Sequence, residues 1–461
     1  MSLPASILAL LESQNVSFNV TNLGTKGQSL SLVAGNAAPI VVKSLLVQDG
    51  KSRVQVLLPA DHILDLDAMF RQLGRRFEGV ATNDVRSMIN LANLAMLPAV
   101  PSWQGMETFV DASLLKKDRL LLESGDSGNL LDMRQEEFAP MLGRATAGNF
   151  TFKAPTLTDD PDSDEAQILD SVQKFTERRI RQRLDDTLEL PPLPETAQRI
   201  IKLRADPNAD ISDLTSIVEI DPSLAAQVVS WAASPYYSAP GKIKSVHDAI
   251  VRVLGFDMVL NLALGLALGK TLSMKALTST QINEYWRGAV YTAAAVEGLI
   301  TSIERKHRPG FGMAYLSGLL SNFGNLILAE IFPPYFSNIT RMCAGNPHQP
   351  SAAIEHHIIG VTGNQIASCL LGNWSMPAEV VIALRQKYNT NYEGMHQAYP
   401  KLVYIAQYML SSQGFGDSFG VEIPGHLFDQ LHLDPDTAKI TISNILDSGG
   451  DLDAIANNMR G

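Results

Sequence analysis

A dense run of helix-start signals between residues 185 and 270 constrains this chain more than any other feature. Asp206-Pro207 and Asp221-Pro222 each pair a capping carboxylate with a proline at the first helical position, where its missing N–H costs nothing. Ile200, Ile201 and Leu203, then Leu214, Ile217 and Val218, recur at helical spacing. The same texture continues through residues 245–270, 281–305, 314–332, 351–372 and 377–388, and again at Leu402–Leu410 and Ala438–Leu446. Strand patterns almost vanish, and no solenoid period is present. Residues 185–461 are therefore expected to form an all-helical domain.

Residues 1–150 read differently. Pro4 with Ile7, Leu8, Leu10 and Leu11 suits a short amphipathic helix, and Val16, Phe18 and Val20 alternate as in a half-buried strand. Val41–Val47 and Val54–Leu58 read as buried strands joined by a turn at Asp49-Gly50, and Thr108–Val110 and Leu120–Leu122 add two more. This predicts a mixed-sheet α/β domain, so the whole is a multidomain α+β chain. Between the two, residues 151–184 read as an acidic linker and connecting helix. Asp159, Asp160, Asp162, Asp164 and Glu165, with Pro155 and Pro161, suggest a solvated tether, followed by an exposed basic face of Lys174, Arg178, Arg179, Arg181 and Arg183.

Composition narrows the function classes. A net charge of −11 argues against a broad nucleic-acid surface. The two cysteines, Cys343 and Cys369, are too few for a disulfide framework or a multi-cysteine zinc site and read as buried thiols. The chain does not open on a signal sequence, and the apolar stretch Met258–Gly269 is shorter than the ~20 residues of a membrane span. The expectation is a cytoplasmic protein with no membrane partner.

Several short motifs occur in one order across 185–270. They are Leu190-Pro191-Pro192-Leu193-Pro194-Glu195, Asp206-Pro207, Asp221-Pro222-Ser223-Leu224, Trp231–Tyr237, Ile243-Lys244-Ser245-Val246, Leu254-Gly255 and Asn261–Leu264. Together they resemble the HDOD domain, a relative of the HD phosphohydrolases found in bacterial signalling proteins. In the N-terminal part, Val42-Lys43-Ser44-Leu45, Leu58-Pro59-Ala60-Asp61, Leu64-Asp65-Leu66, Leu73-Gly74, Val110–Leu114, Asp118-Arg119 and Gly125-Asp126-Ser127-Gly128 resemble the YbaK-type, prolyl-tRNA-synthetase-associated domain. That second resemblance implies a mixed sheet wrapped by helices, a pocket lined by the strand lysine, and removal of wrongly attached amino acids from tRNA, with Lys43 positioning the aminoacyl ester.

Lys43 is notable in its own right, because an ammonium among apolar strand neighbours needs a partner or a pocket. The glycine- and proline-rich loop that the resemblance calls for should lie near residues 89–103. Here it reads Ile89-Asn90-Leu91-Ala92-Asn93-Leu94-Ala95-Met96-Leu97-Pro98-Ala99-Val100-Pro101, without the glycines that permit close backbone approach. Residues 1–150 carry 13 basic against 15 acidic side chains, which gives no strong field for tRNA.

An HD enzyme needs a divalent ion to generate hydroxide and neutralise phosphate charge. The resemblance implies ligands from a His, a His-Asp pair and a later Asp. At those positions stand Gly288, Ser321 with Asn322, and Gln407. Gly363 and Lys387-Tyr388 occupy further positions where active relatives carry histidines. Neutral oxygens and a bare glycine make a poor site for a hard divalent ion, so no metal or other cofactor is expected. Glu355-His356-His357 places its histidines ~100° apart on a helix, unsuited to one shared ion. Gly265–Thr271 has the wrong glycine spacing for a phosphate loop and reads as buried helix.

The reading that follows is a regulatory protein. Its degenerate helical output domain acts by contact with a protein partner, and its sheet domain senses a small aminoacyl ligand or a tRNA 3′ end. An aminoacyl-tRNA deacylase using Lys43 is the alternative, and a metal-dependent phosphohydrolase ranks last.

Overall fold

The computed structural model describes residues 3–14, 16–22, 39–126, 128–157, 159–180, 192–238, 241–270, 277–413, 415 and 423–459, with backbone only over 175–180. The chain divides into two compact units. One comprises Met1–Leu157, Ser337–Ile358 and Gly414–Gly425; the other comprises Thr158–Phe336, Ile359–Gln413 and His426–Gly461.

The first unit is built on β1 (Asn19–Asn22), β2 (Ile40–Gln48), β3 (Arg53–Pro59), β4 (His62–Leu64), β5 (Glu78–Gly79), β6 (Thr108–Asp111), β7 (Arg119–Glu123), β8 (Asn129–Arg134), β9 (Thr146–Gly148) and β10 (Thr151–Lys153). The main sheet runs β1-β8-β7-β2-β3-β6-β9, and β10 pairs separately with β4. The expected hairpin is present: β2 and β3 pair antiparallel from Val42–Pro59 to Gln48–Arg53, and Asp49 Oδ1 accepts from the turn amides of Lys51 and Ser52. The other edge of β2 is shared. It pairs with β7 over Ile40–Val42 and with β5 over Val47–Gln48, and on that edge no strand among the described residues pairs with Lys43–Leu46, whose other edge is taken by β3.

Alternation along β2 sends side chains to opposite faces. Val42 and Leu46 join a core with Leu57, Val110, Leu120, Leu122 and Phe138. Leu45 and Val47 join the opposite core with Val56, Leu58, Phe109 and Phe150. That second core also contains Met342, Ala353 and Ile354. The sequence reading placed Ser337–Ile358 in the helical domain, yet this stretch packs on the sheet. Its apolar residues match either environment, so periodicity alone does not reveal which surface they cover.

The second unit is helical throughout its described residues. The long helix Ser279–Ser302 packs against Phe311–Leu319, Ala398–Ser412, Pro435–Asp447 and Gly449–Asn458. Phe256–Gly269 is buried from Met258 to Gly269, as expected of a helix apolar on every side, and this disposes of the phosphate-loop likeness. Thr271 lies outside the described residues. A longer apolar stretch than Met258–Gly269 is present: by length and composition, Phe311–Ile331 is long and apolar enough to cross a membrane. It consists of two helices, Phe311–Leu319 and Phe323–Ile331, and 72% of its apolar window is buried inside the unit.

Two local expectations need correction. Asp221 caps its helix as predicted, accepting from Ser223 and Leu224 N–H, but Asp206 ends one helix instead of starting the next. The start falls at Asp210, whose carboxylate forms a reciprocal capping box with Asp213. The acidic tether is likewise a docked helix, Pro161–Ile180. Asp164 is 5% exposed and accepts from Arg385 Nη2 at 3.0 Å and Gln365 Nε2 at 2.9 Å, and Asp159 accepts from Gln386 Nε2 at 2.7 Å. The partners lie some 200 residues away in sequence and left no local signal. Arg181 and Arg183 fall outside the described residues, as do the side chains of Arg178 and Arg179.

Candidate functional sites

The gap on the edge of β2 opens into a pocket enclosing about 560 Å³ of atom-free space, part of it open to solvent. Lys43 stands at its wall and donates to Glu123 Oε1 at 2.6 Å, so the strand lysine has both a pocket and a carboxylate partner. Glu123 ends the parallel neighbour of β2, which brings it beside Lys43 from 80 residues away. Apolar surface comes from Leu46, Val80, Val85, Met96 and Leu97.

The glycine-free loop is folded inward. Ala95 and Met96 N–H donate to the Gly125 carbonyl, and Ala99 N–H donates to that of Glu123 at 2.7 Å. These amides are committed to the protein, and the loop offers Met96 and Leu97 side chains to the pocket.

Pro347 and His348 complete the lining. Neither they nor Glu123 were singled out from sequence. The available signal was the proline-punctuated run Asn346-Pro347-His348-Gln349-Pro350 between two helical patterns. Burial, assisted by the Lys43 charge, pushes the His348 pKa down to about 3, so its imidazole is neutral. Nearby, His357 stacks on Phe152 with ring centroids 3.7 Å apart, and Glu355 is buried. Among the described residues no group of three or more His, Cys, Asp or Glu side chains could hold a metal ion.

In the helical unit, the four positions singled out as former metal ligands do converge. Gln407 Nε2 donates to Ser321 Oγ at 3.1 Å and to Asn322 Oδ1 at 3.0 Å. A Cβ added to Gly288 would lie 2.9 Å from Asn322 Nδ2. Lys387, 5% exposed, donates to the Ser321 carbonyl at 2.8 Å. This donor set does not fit a divalent ion. An amide N–H occupies the two side-chain oxygens, and a buried ammonium supplies positive charge beside them. Gly363 is fixed by packing, since a Cβ there would meet the Gly324 backbone at 3.0 Å.

A second polar cluster in this unit lay partly unseen in the sequence. Tyr237, in the Trp231–Tyr237 motif, accepts from Trp231 Nε1 at 3.1 Å and donates to Glu297 Oε2 at 3.3 Å. Burial pushes the Glu297 pKa up to about 7 and raises that of Tyr237 well above its ordinary value.

Comparison with known proteins agrees with both halves. The HDOD domain family matches residues 190–390, and the aminoacyl-tRNA editing domain family matches residues 29–140. A crystal structure provisionally described as that of a signal-transduction protein from Marinobacter aquaeolei VT8 is 36% identical, covers 100% of both chains and superposes with a TM-score of 0.81. An HDOD domain protein of unknown function from Geobacter sulfurreducens shares the fold at 20% identity, over 64% of this chain and 98% of its own, with a TM-score of 0.50. An uncharacterized protein from Treponema pallidum (strain Nichols) is 22% identical over 210 residues, 46% of this chain and 39% of its own length. This is an HDOD-domain protein. It carries an aminoacyl-tRNA editing (YbaK-type) domain ahead of the helical part.

Proposed function

We propose that this chain is a signal-transduction protein whose sheet unit binds a small aminoacyl ligand beside Lys43 and whose helical unit acts on a protein partner by contact. The full-length likeness to the Marinobacter protein supports a regulatory role. The observation that carries the non-catalytic reading is the Gln407 amide bonded to Ser321 and Asn322, where a phosphohydrolase would present metal ligands. Without such ligands there is no means of lowering the pKa of a water or clamping a phosphoryl oxygen. A cytoplasmic setting belongs to the same proposal.

Elemental analysis of the purified full chain, with a phosphodiesterase assay in added Mn²⁺ and Mg²⁺, tests the helical half. The expected result is less than stoichiometric metal and no turnover; a bound ion with hydrolysis would overturn the reading. The Lys43–Glu123 pair favours one alternative, aminoacyl-tRNA deacylation. That activity predicts release of amino acid from mischarged tRNA that disappears in Lys43→Ala, whereas the sensor reading predicts binding without release. The committed amides of Ala95, Met96 and Ala99 favour the sensor, because they leave no backbone donors from those residues for a developing oxyanion.

A further inference from the structure

The turn Asn346–Gln349 is tied to the sheet by three side chains. Asn346 accepts from Leu64 N–H at 2.6 Å and donates to Leu64 O at 3.0 Å, and Gln349 Nε2 donates to Ala60 O at 2.8 Å. His348 Nε2 lies 2.8 Å from the His62 carbonyl. A carbonyl only accepts, so Nε2 carries the proton of the neutral ring, and Nδ1 is left as a bare acceptor. Nδ1 is buried and has no hydrogen-bond partner among the described residues. A buried polar atom in that state needs a reason.

The reason lies in what surrounds it. The pocket wall that includes His348 also holds a cation, Lys43, a carboxylate, Glu123, and the short apolar side chains of Val80 and Val85. The complement is a group that joins an N–H donor, a carbonyl oxygen and a small apolar substituent, which is an α-aminoacyl group.

We propose that His348 orients the aminoacyl ligand of the Lys43 pocket by accepting its α-amino N–H at Nδ1, so that ligand occupancy favours the docked form of Ser337–Ile358. The proposal rests on the reading of the pocket as an aminoacyl site. Phe336 and Ile359, which flank the segment, both belong to the helical unit. The segment is therefore the part of the HDOD-matched sequence that meets the ligand, and linkage requires that a ligand touching it only when docked must stabilise docking.

The test uses the full chain with L-alanine methyl ester and its des-amino analogue, methyl propanoate. Calorimetric titration is expected to favour the amino ester at least tenfold, with the preference collapsing in His348→Leu and all binding lost in Lys43→Met. Hydrogen exchange in Ser337–Ile358 should slow on adding the amino ester to the wild-type chain and stay unchanged in His348→Leu. If the leucine variant does not fold, the imidazole ¹⁵N shift of His348 Nδ1 in the wild-type chain decides, because a new hydrogen bond must move it. An unchanged preference in a folded His348→Leu, or an unmoved Nδ1 resonance at saturating ester, overturns the role of His348 and leaves the pocket reading standing. If neither ester binds the wild-type chain, both are overturned.

Discussion

Lys387 donates to the main-chain carbonyl of Ser321 from within the helical unit, and both residues are buried. Its ammonium lies beside Ser321, whose hydroxyl accepts, as does the Asn322 carboxamide oxygen, from Gln407 Nε2. Replacing Lys387 with Met keeps the length and removes the donor. The Ser321 carbonyl is then stranded, at a cost of roughly 1–3 kcal/mol. Urea denaturation of Lys387→Met should show that loss without a change in slope.

The Asp164–Arg385 pair yields a larger effect. Arg385 is only 13% exposed at its side chain and holds Asp164 on Nε and Nη2. Removing Asp164 leaves the buried guanidinium, among the described residues, with only its longer contact to Asp159 Oδ1 at 3.7 Å, and breaking a buried pair from one side costs about 3–5 kcal/mol. Asp164→Ala should therefore destabilise the helical unit strongly, and the Asp164→Ala/Arg385→Met double variant should recover part of the loss. Additive losses in the double-mutant cycle would contradict the pairing.

Glu297 gives a pH dependence of defined sign. Its carboxyl is raised from an ordinary 4.5 to about 7, so between those values the folded protein holds a proton that the unfolded chain has released. Stability must fall as pH rises from 4.5 through 7 and remain lower above. Glu297→Gln removes the charge and keeps an acceptor for Tyr237. It should be nearly neutral at pH 4 and stabilising at pH 8, on the order of 1–3 kcal/mol, in paired denaturation curves.

Gly79 tests the docking of Ser337–Ile358 without touching the pocket chemistry. A Cβ at Gly79 would lie 2.0 Å from the Ala344 carbonyl oxygen, so backbone must move. Gly79→Ala is expected to cost about 1–3 kcal/mol by overpacking and to open Ser337–Ile358 to limited proteolysis. Unchanged protease resistance would argue that the segment is held by other contacts.

The sequence carried the parts of this protein that depend on neighbours in the chain. The β2–β3 hairpin, the Asp221 cap and the buried helix Phe256–Gly269 follow from turn chemistry and periodicity, and all are present. Gly288, Ser321, Asn322 and Gln407, singled out from their motifs, lie together in the structure. What remained hidden was set by distance along the chain. Glu123 reaches Lys43 across 80 residues, Asp164 reaches Arg385 across 221, and His348 reaches His62 across 286. Nothing in the spacing of an Asp or a His reports a partner that only folding supplies. The acidic run read as a tether for this reason, because a charge destined for a buried guanidinium looks locally like any solvated charge.

Asn346 engages both main-chain groups of Leu64, as one residue of an adjoining strand would. A single side chain from the HDOD-matched half thus finishes the border of a sheet that begins three hundred residues earlier. Dividing the gene between its two recognisable modules would leave that border bare, along with the apolar surface that Met342, Ala353 and Ile354 cover. The two halves are separable as sequences, whereas the compact unit built on the sheet draws on both, and a sheet fragment expressed alone should associate with itself.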